Sequence, residues 1–173
     1  MKRTWMAFCT AVLLLAGLTA FSQAPTPASA SKNVGFEKLK ALVGSWEGTA
    51  GDGKAATVTY RLVSNGSALE ETLIVGGEET MVTMYHLDGR RIVMTHFCAA
   101  GNQPRMRAAG LSPDGKKISF SFLDVTNLSN STAGHMHALE VTFVDAGHIT
   151  QQWTWLENGK DEKKELFKLT RKG

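Results

Sequence analysis

The feature that most constrains this chain is an alternation of apolar and polar residues with a period of two. It begins near Trp46 and is clearest in residues 57–62, 118–122 and 137–143. A period of two places the apolar side chains of a β-strand on one face. The chain is therefore predicted to consist of strands that each bury one face.

Turn-forming sequences separate these runs at intervals of about ten residues, as in proteins built from hairpins. They are Gly51-Asp52-Gly53, Ser64-Asn65-Gly66, Gly76-Gly77, Asp88-Gly89, Pro113-Asp114-Gly115, Asp145-Ala146-Gly147 and Asn158-Gly159. Asp-Gly and Asn-Gly between alternating segments are typical of tight hairpins. The pattern predicts an all-β, antiparallel up-and-down meander of about eight to ten strands. A closed barrel is favoured over a sandwich because closure removes exposed strand edges.

A helical pattern precedes the first strand. Phe36, Leu39 and either Leu42 or Val43 fall on one helical face, and Gly44 ends the run. We expect a short N-terminal helix that caps the barrel.

Residues 1–24 have the pattern of a secretory signal peptide. Two basic residues precede an apolar run that is shorter than the ~20 residues of a membrane span, and a small-x-Ala cleavage pattern follows at residues 21–24, with a second candidate at 28–30. We interpret residues 25–34 as a flexible tether and residues 35–173 as the barrel. The protein is thus expected to be periplasmic or secreted, without a stable membrane anchor.

Charge and cysteine content narrow the possible partners. Loss of Lys2 and Arg3 with the signal peptide would bring the 19 basic residues close to the 16 acidic ones. A near-neutral surface gives no reason to expect nucleic acid as a partner. Cys98 is the one cysteine outside the signal peptide, so the domain must be held together by its core.

The opening of the first strand resembles that of known barrels. Gly44-Ser45-Trp46-Glu47-Gly48, just after the helix, is similar to the Gly-x-Trp start of lipocalin-like, fatty-acid-binding and nitrobindin-like barrels. Together with 94–106, 134–137 and 148–155, it resembles an uncharacterised family of exported bacterial lipocalin-like β-barrels. The resemblance implies that Trp46 closes one end of the barrel beneath Lys168 or Arg171. The haem-ligating histidine of the haem-binding relatives has no match here.

Three histidines are candidates for the barrel interior. His96 and Cys98 share a face with apolar residues of their strand, and His135 and His137 share a face with Leu139. Three inward histidines would suit an open zinc or iron site. Alternatively, they are hydrogen-bonded polar residues in a ligand cavity. Because neighbours on one strand face point in parallel, Cys98 is predicted to be an inert thiol rather than a nucleophile.

The segment after His96 is predicted to form a strand, a corner at Gly101-Asn102 and a second strand, which places it at a barrel rim. Asn102, Gln103 and Arg105 could bind a carboxylate or carbonyl there. Equally, Asn102 could only form the turn while Arg105 faces solvent. Trp153 and Trp155 share a face, and either form a flat wall of a cavity or pack in the core.

We therefore predict that the protein binds a small, largely apolar molecule inside the barrel and does not catalyse a reaction, with no cofactor assigned. The alternatives are a metal-dependent hydrolase or isomerase with three histidine ligands, and a haem-binding barrel. The candidate ligand-binding residues are Tyr85, His96, Cys98, Asn102, Gln103, Arg105, His135, His137, Trp153 and Trp155. We expect His96, Cys98, His135 and His137 to cluster around one opening.

Overall fold

The computed structural model describes residues 32–173, except for the side chains of residues 79, 161 and 162. The predicted signal peptide and residues 25–31 of the predicted tether lie outside the described residues. Within residues 32–173, no helix is long and apolar enough to cross a lipid bilayer.

The described residues form one α-helix, one 3-10 turn and ten strands. The helix α1 spans Val34–Lys40, and the 3-10 turn spans Ser64–Gly66. The strands are β1 (Gly44–Thr49), β2 (Ala55–Val63), β3 (Ala68–Val75), β4 (Glu79–Asp88), β5 (Arg91–Phe97), β6 (Gln103–Ala108), β7 (Lys117–Thr126), β8 (His135–Phe143), β9 (His148–Glu157) and β10 (Lys160–Arg171).

These strands form a closed barrel. Each strand pairs antiparallel with the next along the chain, and β1 closes the sheet by pairing with β10, from Trp46 opposite Arg171 to Thr49 opposite Lys168. The predicted all-β up-and-down barrel with a capping helix is confirmed. Closure pairs the two strands that would otherwise present open edges.

The antiparallel order sends successive connections to opposite ends of the barrel. We call the end that holds α1 the helix end, and the turns at 64–67, 89–90, 109–116 and 144–147 lie there. The opposite end is here called the open end. Its connections are residues 50–54, 76–78, 98–102, 127–134 and 158–159.

The helix end is filled by α1. The side chain of Asn33 accepts a hydrogen bond from the Phe36 amide (2.9 Å) and so caps the first turn. Phe36, Leu39 and Leu42 are buried in the core, whereas Val43 is 41% exposed. Of the two residues that fit the helical pattern at this point, Leu42 is therefore the one that packs.

Trp46 and Arg171 connect α1 to β1 and β10, the two strands that close the barrel. Trp46 is buried, and its indole nitrogen donates to the Leu42 carbonyl (2.8 Å). The Arg171 guanidinium lies 4.3 Å from the centre of the Trp46 ring and donates to the carbonyls of Ala41 (2.7 Å) and Val43 (2.8 Å). The expected stacking of a basic residue of the last strand on Trp46 is confirmed, with Arg171 in that role.

Candidate functional site

The open end of the barrel contains a cavity of about 370 Å³. This volume falls within the range of small-molecule sites, roughly 300–1,000 Å³. The inner part is lined by Leu73, His96, Trp153 and Phe167, and the outer part by Val75, Met81, Cys98, Met136 and Trp155. Except for Cys98, these side chains come from the strands of a closed barrel, so the site is built on a rigid scaffold.

His96 contributes a polar group to this apolar lining. Its side chain is almost completely buried, and its Nδ1 lies 2.9 Å from the hydroxyl of Thr83 on the neighbouring strand. Its Nε2 has no hydrogen-bond partner among the described residues. Burial lowers the pKa of His96 from 6.5 to about 4, so the imidazole is neutral at pH 7.

Because the ring is neutral, Nε2 can either donate or accept a hydrogen bond. If Nδ1 carries the proton and donates to the Thr83 hydroxyl, Nε2 is an acceptor; in the other tautomer, Nε2 is a donor. In both cases the ring carries one unused hydrogen-bonding position. An unsatisfied buried polar atom costs free energy, so a ligand group that reaches Nε2 would be favoured.

Trp153 and Trp155, which share a strand face, both line the cavity, and we call the pair the aromatic wall; Trp153 is also packed in the core. The ring centre of Trp153 lies 4.5 Å from that of His96, and its indole nitrogen donates to the side-chain carbonyl of Gln151 (3.1 Å). Trp155 lies directly against Gly134, where an added Cβ would come within 2.0 Å of the indole. A residue without a side chain is therefore required at position 134.

A buried polar layer lies below the cavity, formed by Tyr60, Glu71, Tyr85 and Gln151. One carboxyl oxygen of Glu71 accepts from the Tyr85 hydroxyl (2.9 Å) and from the Gln151 amide (2.9 Å), and that amide also donates to the Tyr60 hydroxyl (2.6 Å). The other oxygen, Oε1, has no partner among the described side chains and backbone groups. Burial raises the pKa of Glu71, which favours its protonated form.

Tyr85 therefore belongs to the polar layer and is not part of the cavity lining. Its hydroxyl is used by Glu71, and burial raises the pKa of this phenol well above its usual range. Tyr85 stays neutral and supports the site from beneath.

The charged residues of the cavity rim form pairs within their own segments. Lys54 lies 3.2 Å from Asp52, and Lys163 lies 3.5 Å from Glu165, whose carboxylate also accepts the Gly51 amide (2.8 Å). The rim thus presents two basic and two acidic side chains of the cavity lining. Such an arrangement carries no excess charge of either sign.

A β-bulge changes which side chains of β8 reach the cavity. The register with β9 shifts between Met136 and Ala138, so His137 is an additional residue in the strand. Met136, paired with Trp155, lines the cavity, and the lining includes neither His135 nor His137. The simple alternation that placed both histidines beside His96 on the cavity wall is therefore wrong at this point.

His135 and His137 instead pack on Phe122. Their ring centres lie 4.9 Å and 4.7 Å from that of Phe122 and 5.6 Å from each other. In the part of the chain that the structure describes, no group of three His, Cys, Asp or Glu side chains is placed to hold a metal ion. The three histidines do not form the ligand set that the sequence suggested.

The corner after β5 also differs from the ligand-binding interpretation. Asn102 is buried and donates to the Gly134 carbonyl (2.9 Å), which joins two open-end loops. Gln103 bonds to Gly101 (3.1 Å), and Arg105 is exposed and forms a two-pronged ion pair with Asp124. None of the three predicted polar residues lines the cavity. Arg105 faces solvent, which was the alternative left open.

Sequence reasoning missed Glu71 and Thr83. Glu71 occupies an inward position of β3 between Leu69 and Leu73. A carboxylate at a position where the alternation expects an apolar residue is the feature of the sequence that could have indicated it. Thr83 occupies an equivalent position in β4 but carries no such signal, because threonine is common in strands. Its role follows from its position directly opposite His96.

A solved structure shares this fold. A protein of unknown function from the DUF3598 family of Nostoc punctiforme matches with a TM-score of 0.53 and 14% identity, over 78% of this chain and 48% of the other. This chain thus spans about half the length of that protein, and the similarity shows the barrel fold alone. No protein-family model matches the chain. No curated protein matches it at a significant level. The barrel fits a lipocalin-like class, while the particular family suggested by the sequence stays a prediction.

Proposed function

We propose that this protein binds a small, largely apolar molecule in the cavity at the open end. The observation that carries the proposal is the composition of the cavity. Apolar and aromatic side chains line about 370 Å³, and buried His96 among them retains an unpartnered hydrogen-bonding atom. Binding sites of this kind combine apolar surface, which supplies affinity, with a few polar groups that orient the ligand.

The rest of the barrel supports a binding role. The helix end is packed with α1 and Trp46, and the polar layer occupies the middle of the barrel. The interior can therefore accept a ligand at the open end. The aromatic wall is held in place without a ligand, because Trp153 bonds to Gln151 and Trp155 packs against Gly134. A preorganised wall loses little conformational freedom on binding, which favours affinity.

The location of this binding is also a proposal. We propose that the protein acts in the periplasm or outside the cell, on the basis of the signal-peptide pattern of residues 1–24. Intact-mass spectrometry of the exported fraction should show a protein that lacks these residues. A mass that still includes Met1 would contradict the proposal.

The binding proposal is tested by titration with N-phenyl-1-naphthylamine, an uncharged dye whose fluorescence increases in apolar surroundings. Ala50 is buried and lines the cavity, so Ala50→Trp should fill part of it and weaken dye binding at least tenfold. Thr49→Trp is the matched control because Thr49 precedes it in the same segment and is exposed. Thermal melts of both variants would establish that they fold.

Saturable binding by the wild type and by Thr49→Trp, with a loss in Ala50→Trp, is the expected result. Equal weakening in the two variants, or no binding by the wild type up to the solubility limit of the dye, would refute the proposal.

A further inference from the structure

The charges around the cavity bear on which ligands can enter it. Each lysine of the lining has an acid beside it, Lys54 with Asp52 at 3.2 Å and Lys163 with Glu165 at 3.5 Å. A charged ligand would leave water without gaining an uncommitted countercharge among the described lining residues. Burial of a charge under these conditions is strongly unfavourable.

The polar groups beneath the charged rim also disfavour a charged ligand. His96 is neutral because burial lowers its pKa, and the nearest acid in the polar layer, Glu71, is held by Tyr85 and Gln151. Neither group offers a compensating charge to an ion in the cavity.

The aromatic side chains of the lining favour a flat aromatic ligand. Gln151 uses its amide in both directions: its nitrogen donates to Tyr60 and Glu71, and its oxygen accepts from the indole nitrogen of Trp153. The Trp153 plane is therefore held by the polar layer beneath it. Trp155 continues this aromatic surface toward the rim, and aromatic rings prefer offset-stacked or edge-to-face contact with other rings.

From these observations we infer that the cavity selects uncharged, flat aromatic ligands that carry a hydrogen-bonding group, and that His96 Nε2 recognises that group. The inference rests on the proposed function, because it names the ligand class of the same cavity. His96 is the specificity-determining residue.

The test uses three naphthalenes that differ in one substituent: 2-naphthol, 2-methylnaphthalene and 2-naphthoate. Their dissociation constants are obtained at neutral pH by displacement of N-phenyl-1-naphthylamine from the wild type and from His96→Phe. The ratio of the 2-naphthol and 2-methylnaphthalene affinities cancels effects common to both probes, as in a double-mutant cycle.

The ratio should move by about tenfold against 2-naphthol in His96→Phe, which corresponds to one net hydrogen bond. His86→Phe is the matched control: His86 is exposed and lies outside the cavity lining, so the same substitution there should leave the ratio at its wild-type value. In the wild type, 2-naphthoate should bind at least tenfold more weakly than 2-naphthol.

The outcomes separate this inference from the binding proposal. Retention of dye binding with an unchanged ratio in His96→Phe, or wild-type binding of 2-naphthoate as tight as that of 2-naphthol, would overturn the inference while leaving the cavity a binding site. Failure of the dye itself to bind would overturn both. If His96→Phe does not fold, the wild type decides the question: 2-naphthol that binds no tighter than 2-methylnaphthalene, or no tighter than 2-naphthoate, would overturn the inference.

Discussion

Acid should destabilise this barrel through His96. Burial lowers the pKa of this side chain from 6.5 to about 4 in the folded protein, whereas the ring is in water in the unfolded chain. Below about pH 6.5 the unfolded state therefore binds more protons than the folded state does. The contribution of neutral His96 to stability is complete above this pH and is lost as the pH falls toward 4.

The size of the effect follows from the two pKa values. The free energy of unfolding should fall through His96 by about 2 kcal/mol at pH 5 and by about 3 kcal/mol at pH 4. Glu71 acts in the opposite direction: burial raises its pKa, so its protonation on acidification favours the folded state. The wild type alone therefore reports a mixture of the two effects.

A comparison of variants isolates His96. Urea unfolding of the wild type and of His96→Gln at about pH 7.5, 6, 5 and 4 gives the difference in unfolding free energy at each pH. Since Glu71 is present in both proteins, this difference should shrink by about 3 kcal/mol from the highest pH to the lowest. His86→Gln, at an exposed position, is the control for loss of a histidine outside the core.

Parallel plots of unfolding free energy against pH for the wild type and His96→Gln would contradict a buried, neutral His96. If the wild type and His96→Gln lose stability equally with falling pH, His96 is accessible to protons in the folded state. The proposed ligand class, which depends on a buried and neutral imidazole, would then be wrong.

Four further substitutions test the packing and the buried acid that support the site. Trp46→Ala should lose roughly 3–5 kcal/mol in urea unfolding, because a buried indole is replaced by a void; a melting temperature within a few degrees of the wild type would contradict this. Gly134→Ala should lose about 1–3 kcal/mol and weaken dye binding by displacing Trp155. Gly147→Ala, where the nearest atom is 3.7 Å from the added Cβ, should do neither. Glu71→Gln should gain stability relative to the wild type as the pH rises, since burial raises the pKa of Glu71 and its ionisation destabilises the folded wild type; a difference in unfolding free energy that does not change with pH would argue against a buried acid.

Much of the fold was predictable because the signals that determine it are local. Alternation within a strand depends on neighbours two residues apart, and the turns at Asp88-Gly89 and Asn158-Gly159 depend on a glycine that adopts positive φ in each case. The same alternation placed His96, Trp153 and Trp155 on the inward face, where the structure has them.

The rest of the site depends on register between strands, which a single sequence does not display. The bulge in β8 arises from the way Met136 and Ala138 pair with β9, and nothing in the local sequence marks the extra residue. Likewise, Glu71 meets Tyr60 and Tyr85 only because neighbouring strands bring three inward side chains together. Inward polar residues in several strands are visible in the sequence, but their partners are not.

The binding proposal places the ligand at the open end, beside the aromatic wall. Nuclear magnetic resonance of the 15N-labelled protein, with and without saturating N-phenyl-1-naphthylamine, reports separately on each indole N–H group. We expect the signals of Trp153 and Trp155 to shift while that of Trp46, bonded to the Leu42 carbonyl at the helix end, keeps its position. A shift confined to Trp46, or no indole shift at saturation, would contradict the claim.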